Sequence, residues 1–298
     1  MAKIAIVGVG AIGGVIGALL HRTGRHELVL CVRSSFSELS VAGPTGTISV
    51  KAPTLTDPAA APAVDWVMVC SKAYDAKATA KWFPRLRATG APVAIVQNGV
   101  EHRERFAPYL PADSILPVMV DCPAERDGPG RVRMRGPMYL KVPESAQGAA
   151  FVKLFDGPGV EAGTVADFQS TVWRKLCGNS AGILSALLLR PTGAFHDESL
   201  AAVAREIVRE CVRVGRAEGA KLNDDVPDAV VAGYRAAQPD SLNSLHADRL
   251  GGRPMEIDAR NGAVIRLGQK HGIPTPYNSM AAALLEAAAR LDTPLGRA

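Results

Sequence analysis

A glycine cluster directly after a short apolar run is the feature that most constrains the fold of this chain. The run Ile4–Val7 ends at Gly8-x-Gly10-x-x-Gly13, and a helix-forming run from Ala11 to Arg22 follows. The order strand, tight turn, helix is the setting in which this spacing marks a dinucleotide site. Gly8 permits the turn, Gly10 lets the backbone approach a pyrophosphate, and Gly13 lets the helix pack closely on the strand.

The start of that helix supplies the binding chemistry. Its first N–H groups have no partner within the helix, and its dipole presents a positive end to an anion. A glycine-rich turn without a ligand is the alternative. The residues predicted to hold the pyrophosphate are Gly8, Val9, Gly10, Ala11, Ile12 and Gly13.

Composition excludes several other classes of protein. Of the 298 residues, 47% are hydrophobic and 21% charged, which is ordinary for a globular protein. The net charge is +5, and the basic residues are spread along the chain, so no nucleic-acid surface is indicated. A small anionic ligand would be equally compatible with this positive charge. Five scattered cysteines predict reduced thiols in the cytoplasm and no metal site. Strand-like sequence from Lys3 predicts no signal peptide, and the apolar stretch Ala181–Leu189 is too short to cross a membrane.

Apolar segments alternate with helical ones through the first half, which predicts a parallel sheet covered by helices. The further predicted strands are Leu28–Val32, Trp66–Cys70, Val93–Val96 and Ile115–Val120. Arg131–Val142, interrupted at Gly136-Pro137, is predicted to form a terminal antiparallel pair.

Strand signals end near Asp167, and Ala/Leu/Arg-rich helical patterns continue to Arg290. The stretch from Gly157-Pro158-Gly159 to Gly163 is a candidate linker. We therefore expect an α/β protein with a Rossmann-type doubly wound domain over residues 1–165, followed by an all-α domain over residues 166–298. The broad apolar faces of the second half would suit either an internal core or a homodimer.

Polar residues follow three of the predicted strands at the edge where ligands bind in open α/β sheets. The second strand ends without an acidic residue and is followed by Arg33 and two serines, which favours a 2′-phosphate and therefore NADP over NAD. Lys72 follows the third strand and Asn98 the fourth. A surface lysine and an Asn-Gly turn are the simpler interpretations of these two.

The helical half contains a second group of candidates. Lys175 and Asn179 are four residues apart on one predicted helix face, which Ile183 continues, although a lysine at the rim of a core is the alternative. Farther on, Pro254 is predicted in the first turn of a helix that ends at Gly272. Glu256 would then lie in that first turn, where capping alone explains an acid.

At this point the chain resembles the ketopantoate reductases (2-dehydropantoate 2-reductases). The motifs occur in the same order over essentially the whole chain: GVGAIGG, SKAYD, QNG, ERDG, WRKLCGN, NSLHAD and EIDARNG. The resemblance implies a two-domain enzyme that transfers hydride from NADPH to a 2-keto acid in pantothenate and coenzyme A synthesis. It also implies that Lys175 is the general acid and that Glu256 lies near the nicotinamide ribose and the substrate.

The resemblance assigns binding roles to further residues. Asn98, Asn179 and Ser244 match hydrogen-bonding groups around cofactor and substrate, and Ala124 matches a backbone contact to the cofactor. Arg33 and Lys72, already singled out, match the anchors of the NADP phosphate.

Two positions depart from the family pattern. Ile183 and Thr192 stand where the family has asparagines, the first of which binds substrate. Losing one such partner would cost about 1–3 kcal/mol of substrate binding. The alternatives are therefore a reductase for a more apolar 2-keto acid, a related dehydrogenase for an opine or a longer 2-hydroxy acid, or a non-catalytic NADPH sensor. Retention of both Lys175 and Glu256 favours an enzyme.

Overall fold

Two compact units make up the computed structural model of the chain, which describes residues 1–155, 157 and 159–292. The first unit is Met1–Phe168 and the second begins at Gln169. In the described ranges no helix is both long enough and apolar enough to span a bilayer.

The first unit contains twelve strands, five α-helices and three short 3₁₀ helices among its described residues. The strands are β1 (Ala2–Val7), β2 (His26–Cys31), β3 (Leu39–Gly43), β4 (Gly46–Val50), β5 (Thr54–Leu55), β6 (Trp66–Val69), β7 (Val93–Val96), β8 (Ile115–Asp121), β9 (Ala124–Gly128), β10 (Arg131–Met134), β11 (Met138–Pro143) and β12 (Val160–Val165). The helices are α1 (Ala11–Arg22), α2 (Ala76–Ala80), α3 (Phe83–Leu86), α4 (His102–Phe106) and α5 (Ala146–Val152).

An eight-stranded sheet forms the centre of this unit, in the order β12-β11-β8-β7-β6-β1-β2-β5. The strands from β8 to β5 are mutually parallel, while β11 is antiparallel to β8. Strands β6 and β7 are continuous apolar runs because helices cover both faces of the sheet. One face packs on α1 and α5, and the other packs on α3 and α4. The predicted doubly wound fold is confirmed.

A second sheet, in the order β4-β3-β10-β9, packs on the outer side of α1 and was not predicted. Glycines on α1 make room for it. A Cβ on Gly14 would lie 2.7 Å from Cγ2 of Val132, and a Cβ on Gly17 would lie 3.1 Å from Cδ2 of Leu39. Helix α1 is therefore buried between two sheets.

Two predictions for this unit were wrong. Strands β10 and β11 belong to different sheets, so Arg131–Val142 is not an antiparallel pair, because the Gly136-Pro137 break carries the chain from one sheet to the other. Val160–Val165, which overlaps the candidate linker, is the edge strand β12 and pairs in parallel with β11. Pro158 of that linker lies outside the described residues.

The second unit is helical throughout its described residues, as predicted. Its helices are α6 (Phe168–Ala181, whose first residue belongs to the first unit), α7 (Ile183–Leu188), α8 (Glu198–Ala217), α9 (Val226–Ala236), α10 (Ser244–Leu250), α11 (Ala263–Lys270) and α12 (Pro276–Asp292). A π-helical segment, Asp258–Gly262, leads directly into α11.

Two helix limits differ from the predictions. Helix α6 ends at Ala181 and Ile183 begins a new helix, with Gly182 between them. The helix predicted from Pro254 starts only at the π segment, so Glu256 precedes it and first-turn capping does not explain that acid. The predicted C-terminal end of that helix is confirmed. Gly272 follows the last turn of α11 and has a φ of 64°, the left-handed conformation in which glycine commonly ends a helix.

Candidate functional site

The ends of four neighbouring strands carry the candidates of the first unit. Strands β7, β6, β1 and β2 are adjacent and parallel, so their carboxyl ends lie at one edge of the sheet. Gly8 follows β1, Arg33 follows β2, Lys72 follows β6 and Asn98 follows β7. The topology therefore brings the predicted cofactor residues to the same edge.

The glycine turn is shaped by close backbone contacts. Gly8 has a φ of 94°, and a Cβ there would lie 2.6 Å from the backbone nitrogen of Ser71. A Cβ on Gly13 would overlap the carbonyl oxygen of Gly8 and lie 3.0 Å from Cβ of Cys70. A Cβ on Gly10, by contrast, would meet nothing within 4 Å. Two of the glycines therefore close the turn, while the third leaves open space beside the backbone.

That open space fits a pyrophosphate. Gly10 is the N-cap residue of α1 and has no side chain that could cap the first N–H groups of the helix. The first turn of α1 contains no acidic residue that would repel a phosphate. A bare cradle in front of an uncapped helix start is the arrangement that binds dinucleotide phosphates.

The Arg33 side chain is available to an anion. Its side chain is exposed, and within the described residues it forms no hydrogen bond or ion pair. Ser34 and Ser35 beside it are exposed as well. A guanidinium with two neighbouring hydroxyls provides the donors that a ribose 2′-phosphate requires.

A buried amide that the sequence analysis missed connects two of these strand ends. Gln97 is 4% exposed, and its Nε2 donates to the carbonyl oxygen of Ser71 at 2.7 Å. The Ser71 hydroxyl lies 2.7 Å from that of Thr79. The carbonyl of Gln97 lies 2.9 Å from Nε2 of buried His102, and burial lowers the pKa of His102 to about 4. Because Ser71 is the residue that Gly8 abuts, this network positions the floor of the glycine turn.

Ala124 lies in the second sheet rather than at this edge. It begins β9, pairs with Met134, and its N–H donates to the carbonyl of Cys122 at 2.9 Å. Strand β9 packs on α1. The predicted backbone contact of Ala124 with the cofactor stays a prediction.

Helix α6 carries two of the candidates of the second unit. Lys175 and Asn179 are half-buried and lie one turn apart. Within the described part of the chain, the Asn179 side chain has no hydrogen-bond partner, so its amide is available to a ligand.

The two positions that depart from the family pattern lie after α6. Ile183 is fully buried, and the hydroxyl of Thr192 donates to the carbonyl of Gln238 at 2.6 Å.

The C-terminal end of α6 is tied to two other elements by side chains that the sequence analysis did not single out. The Tyr234 hydroxyl donates to the carbonyl of Gly178 at 2.9 Å, and Nδ2 of Asn243 donates to that of Gly182 at 2.8 Å. Burial raises the pKa of Tyr234 to about 12, so this donor keeps its proton. A Cβ on Gly182 would lie 2.6 Å from the Tyr234 hydroxyl. The ties place the start of α10 beside the turn that contains Asn179.

Ser244 and Glu256 complete the set. Ser244 is exposed at the start of α10, and its Oγ accepts a 2.6 Å hydrogen bond from Nη2 of Arg260. Glu256 is 4% exposed and precedes the π segment. In the described residues there is no cluster of three or more histidine, cysteine or acidic side chains arranged to hold a metal ion.

Comparisons with known proteins agree along the whole chain. The family model for ketopantoate reductase PanE/ApbA matches residues 4–147, and the model for the C-terminal part of that family matches residues 167–289. A 2-dehydropantoate 2-reductase of Caulobacter vibrioides is 49% identical, over 97% of this chain and 100% of that protein. A second one, from Mycobacterium tuberculosis, is 38% identical over 96% and 97%. The chain also matches the crystal structure of a PanE/ApbA family ketopantoate reductase from Ralstonia eutropha, with a TM-score of 0.86 and 33% sequence identity. The match covers 97% of this chain and 99% of that one.

Proposed function

The chain belongs to the ketopantoate reductase family, and from that membership we propose that it catalyses the NADPH-dependent reduction of 2-dehydropantoate to pantoate. This reaction belongs to pantothenate and coenzyme A synthesis. The observation that carries the proposal is the 49% identity to a 2-dehydropantoate 2-reductase over that protein's full length. The open glycine cradle at α1 supports the cofactor independently of the comparison.

NADPH, when bound, supplies the hydride that reduces C2 of the keto acid. Lys175 then acts as the general acid, because the C2 oxygen gains negative charge as the carbonyl is reduced and needs a proton. An ammonium group both stabilises that charge and donates the proton to the oxygen. The chain's contribution to the reaction is therefore to place the substrate oxygen at Nζ of Lys175.

The other candidates bind and orient. The backbone at Gly10 holds the pyrophosphate, Arg33 and Lys72 hold phosphate charge, and Asn98 bonds the nicotinamide ribose or a substrate oxygen. Asn179 and Ser244 donate hydrogen bonds to the substrate, and Glu256 fixes the ribose hydroxyls near the reacting atoms. The available amide of Asn179 supports its role. Residues 1–165 are thereby assigned to cofactor binding and residues 166–298 to the substrate.

We also propose a homodimer and a cytoplasmic location. Tyr277, Met280 and Leu284 lie along one face of α12 and are 36%, 52% and 50% exposed, an apolar stripe that we assign to a homodimer contact. Light scattering of the purified protein tests this assignment. All five cysteines are free, which fits an enzyme of the reducing cytoplasm.

Loss of NADPH absorbance with 2-dehydropantoate, measured beside a panel of more apolar 2-keto acids, tests the function. We expect 2-dehydropantoate to give the highest kcat/KM of the panel. A higher kcat/KM for an apolar keto acid would favour the alternative, a reductase for a more apolar 2-keto acid. Absence of turnover with every keto acid would indicate an NADPH-binding sensor.

A further inference from the structure

Arg260 is a buried cation without a buried anion. Its side chain is 3% exposed, and within the described ranges it forms no ion pair with a carboxylate. Its hydrogen-bond partner is the Ser244 hydroxyl, and its Nε is buried with no partner. A guanidinium is seldom buried unless it is paired, because an uncompensated buried charge is costly. Two acids close to Arg260 in the sequence or in the adjoining helix pair with other arginines, Asp258 with Arg266 and Asp248 with Arg253.

The backbone that carries Arg260 is itself irregular. Asp258–Gly262 is a π-helical segment, in which the N–H of Gly262 donates to the carbonyl of Ile257 at 3.0 Å. Such segments lower helix stability and occur frequently at functional sites. The segment places Arg260 behind Ser244 on α10 and close enough to Tyr234 for its charge to oppose the rise in that group's pKa.

The hydrogen bond between Arg260 and Ser244 has a direction that matters for binding. The Ser244 Oγ accepts from the guanidinium, so its own O–H remains available as a donor. Ser244 is exposed, whereas Arg260 is not. An anion that accepts the serine O–H would therefore lie directly in front of a buried positive charge.

We propose that Arg260, acting through Ser244, forms the carboxylate-recognition site for the 2-keto acid substrate. Arg260 orients the serine hydroxyl and supplies the charge that makes the site selective for an anion. The inference rests on the proposed function for the identity of the keto acid, whereas the preference for an anion is argued from the contacts of Arg260 within this unit.

The test compares 2-dehydropantoate with its neutral methyl ester in the wild type and in Arg260→Gln. Glutamine keeps a donor for Ser244 but removes the charge. We expect kcat/KM for the acid to fall on the order of 10²-fold, mainly through KM, while that for the ester changes less than about threefold. Arg260→Lys should recover part of the preference for the acid that Arg260→Gln loses. Lysine restores the positive charge but lacks the planar guanidinium with its fixed set of N–H donors. Arg266→Gln, an exposed arginine on the following helix, is the matched control and should leave the preference unchanged.

A purely structural role for Arg260 would lower kcat/KM for acid and ester together, and that result would overturn the proposal, as would an unchanged preference in Arg260→Gln. A second measurement separates this outcome from failure of the proposed function. Thermal unfolding is followed with NADP⁺ and pantoate or the keto acids of the panel. If the wild type turns over none of them, stabilisation of the wild type but not of Arg260→Gln by a carboxylate still supports the site. If no carboxylate stabilises the wild type, the inference fails as well.

Discussion

Gly10 and Gly13 provide a matched pair of alanine substitutions that separate cofactor binding from folding. At Gly10 an added Cβ meets nothing within 4 Å and φ is −89°, so alanine is sterically acceptable in the free protein. Replacing an N-cap glycine by alanine costs about 1 kcal/mol at most. The same methyl group occupies the space into which the pyrophosphate must come. Loss of one charge-assisted backbone hydrogen bond to phosphate costs about 1.5–3 kcal/mol, or roughly 10- to 100-fold in NADPH affinity.

At Gly13 the balance is reversed. The added Cβ would overlap the carbonyl oxygen of Gly8, a backbone atom that cannot rotate away, and would lie 3.0 Å from Cβ of Cys70. Overpacking of this kind costs about 1–3 kcal/mol, and we expect the upper end because α1 is packed between two sheets and cannot shift outward. Gly13→Ala should therefore lower the free energy of unfolding by about 3 kcal/mol, and any loss of NADPH binding would follow from that.

Urea unfolding and NADPH fluorescence titration of both variants provide the measurements. The expected pattern is near-normal stability with weak NADPH binding for Gly10→Ala, and reduced stability for Gly13→Ala. Wild-type NADPH affinity in Gly10→Ala would refute the assignment of the glycine turn to the pyrophosphate. Wild-type stability in Gly13→Ala would refute the packing argument.

Three further changes test other parts of the molecule. Arg33→Ala should raise KM for NADPH far more than KM for NADH in steady-state assays, because only NADPH carries the 2′-phosphate; equal increases would remove Arg33 from cofactor selection. Lys175→Ala should lower kcat by about 10²–10⁴ while the Kd of NADPH stays nearly constant; an unchanged kcat would exclude it as the proton donor. Burial lowers the pKa of His102 from 6.5 to about 4. Between these two pH values the imidazole is protonated in the unfolded chain but neutral in the folded protein. The free energy of unfolding therefore falls as the pH falls from 6.5 to about 4. Urea titrations at neutral pH and at about pH 4 measure how much free energy of unfolding each protein loses between the two pH values. This loss should be about 3 kcal/mol smaller in His102→Gln than in the wild type. Equal losses in the two proteins would contradict a neutral buried imidazole.

Local patterns predicted the elements whose signals are strong. The glycine spacing and the apolar runs predicted α1 and β7 at their observed limits and β1 to within two residues, because buried parallel strands and a glycine turn have strong local signals. The second sheet was missed because its strands are short and half-exposed, and because Leu39–Gly43 and Arg131–Met134 pair across about ninety residues of chain.

The site was predictable to a similar extent. Residues at strand ends could be placed at one edge from the order of the strands alone. Gln97, Tyr234, Asn243 and Arg260 could not, since each acts through a partner far away in the sequence. Arg260 pairs with Ser244 sixteen residues earlier, and only because a π turn and the start of α10 meet. Sequence spacing carries no signal for such a contact.

The burial of α1 between two sheets divides the cofactor site into a part that can evolve and a part that cannot. Larger residues at Gly13, Gly14 or Gly17 would meet backbone or side chains on either side, so these three positions of α1 do not accept a larger residue without a shift in packing. Arg33 is exposed after β2, and within the described chain its side chain forms no hydrogen bond or ion pair that would constrain which residue stands there. A change of preference between NADP and NAD is therefore open to a single substitution at the end of β2, whereas substitutions at Gly13, Gly14 or Gly17 would disturb the packing of α1 before they affected the cofactor.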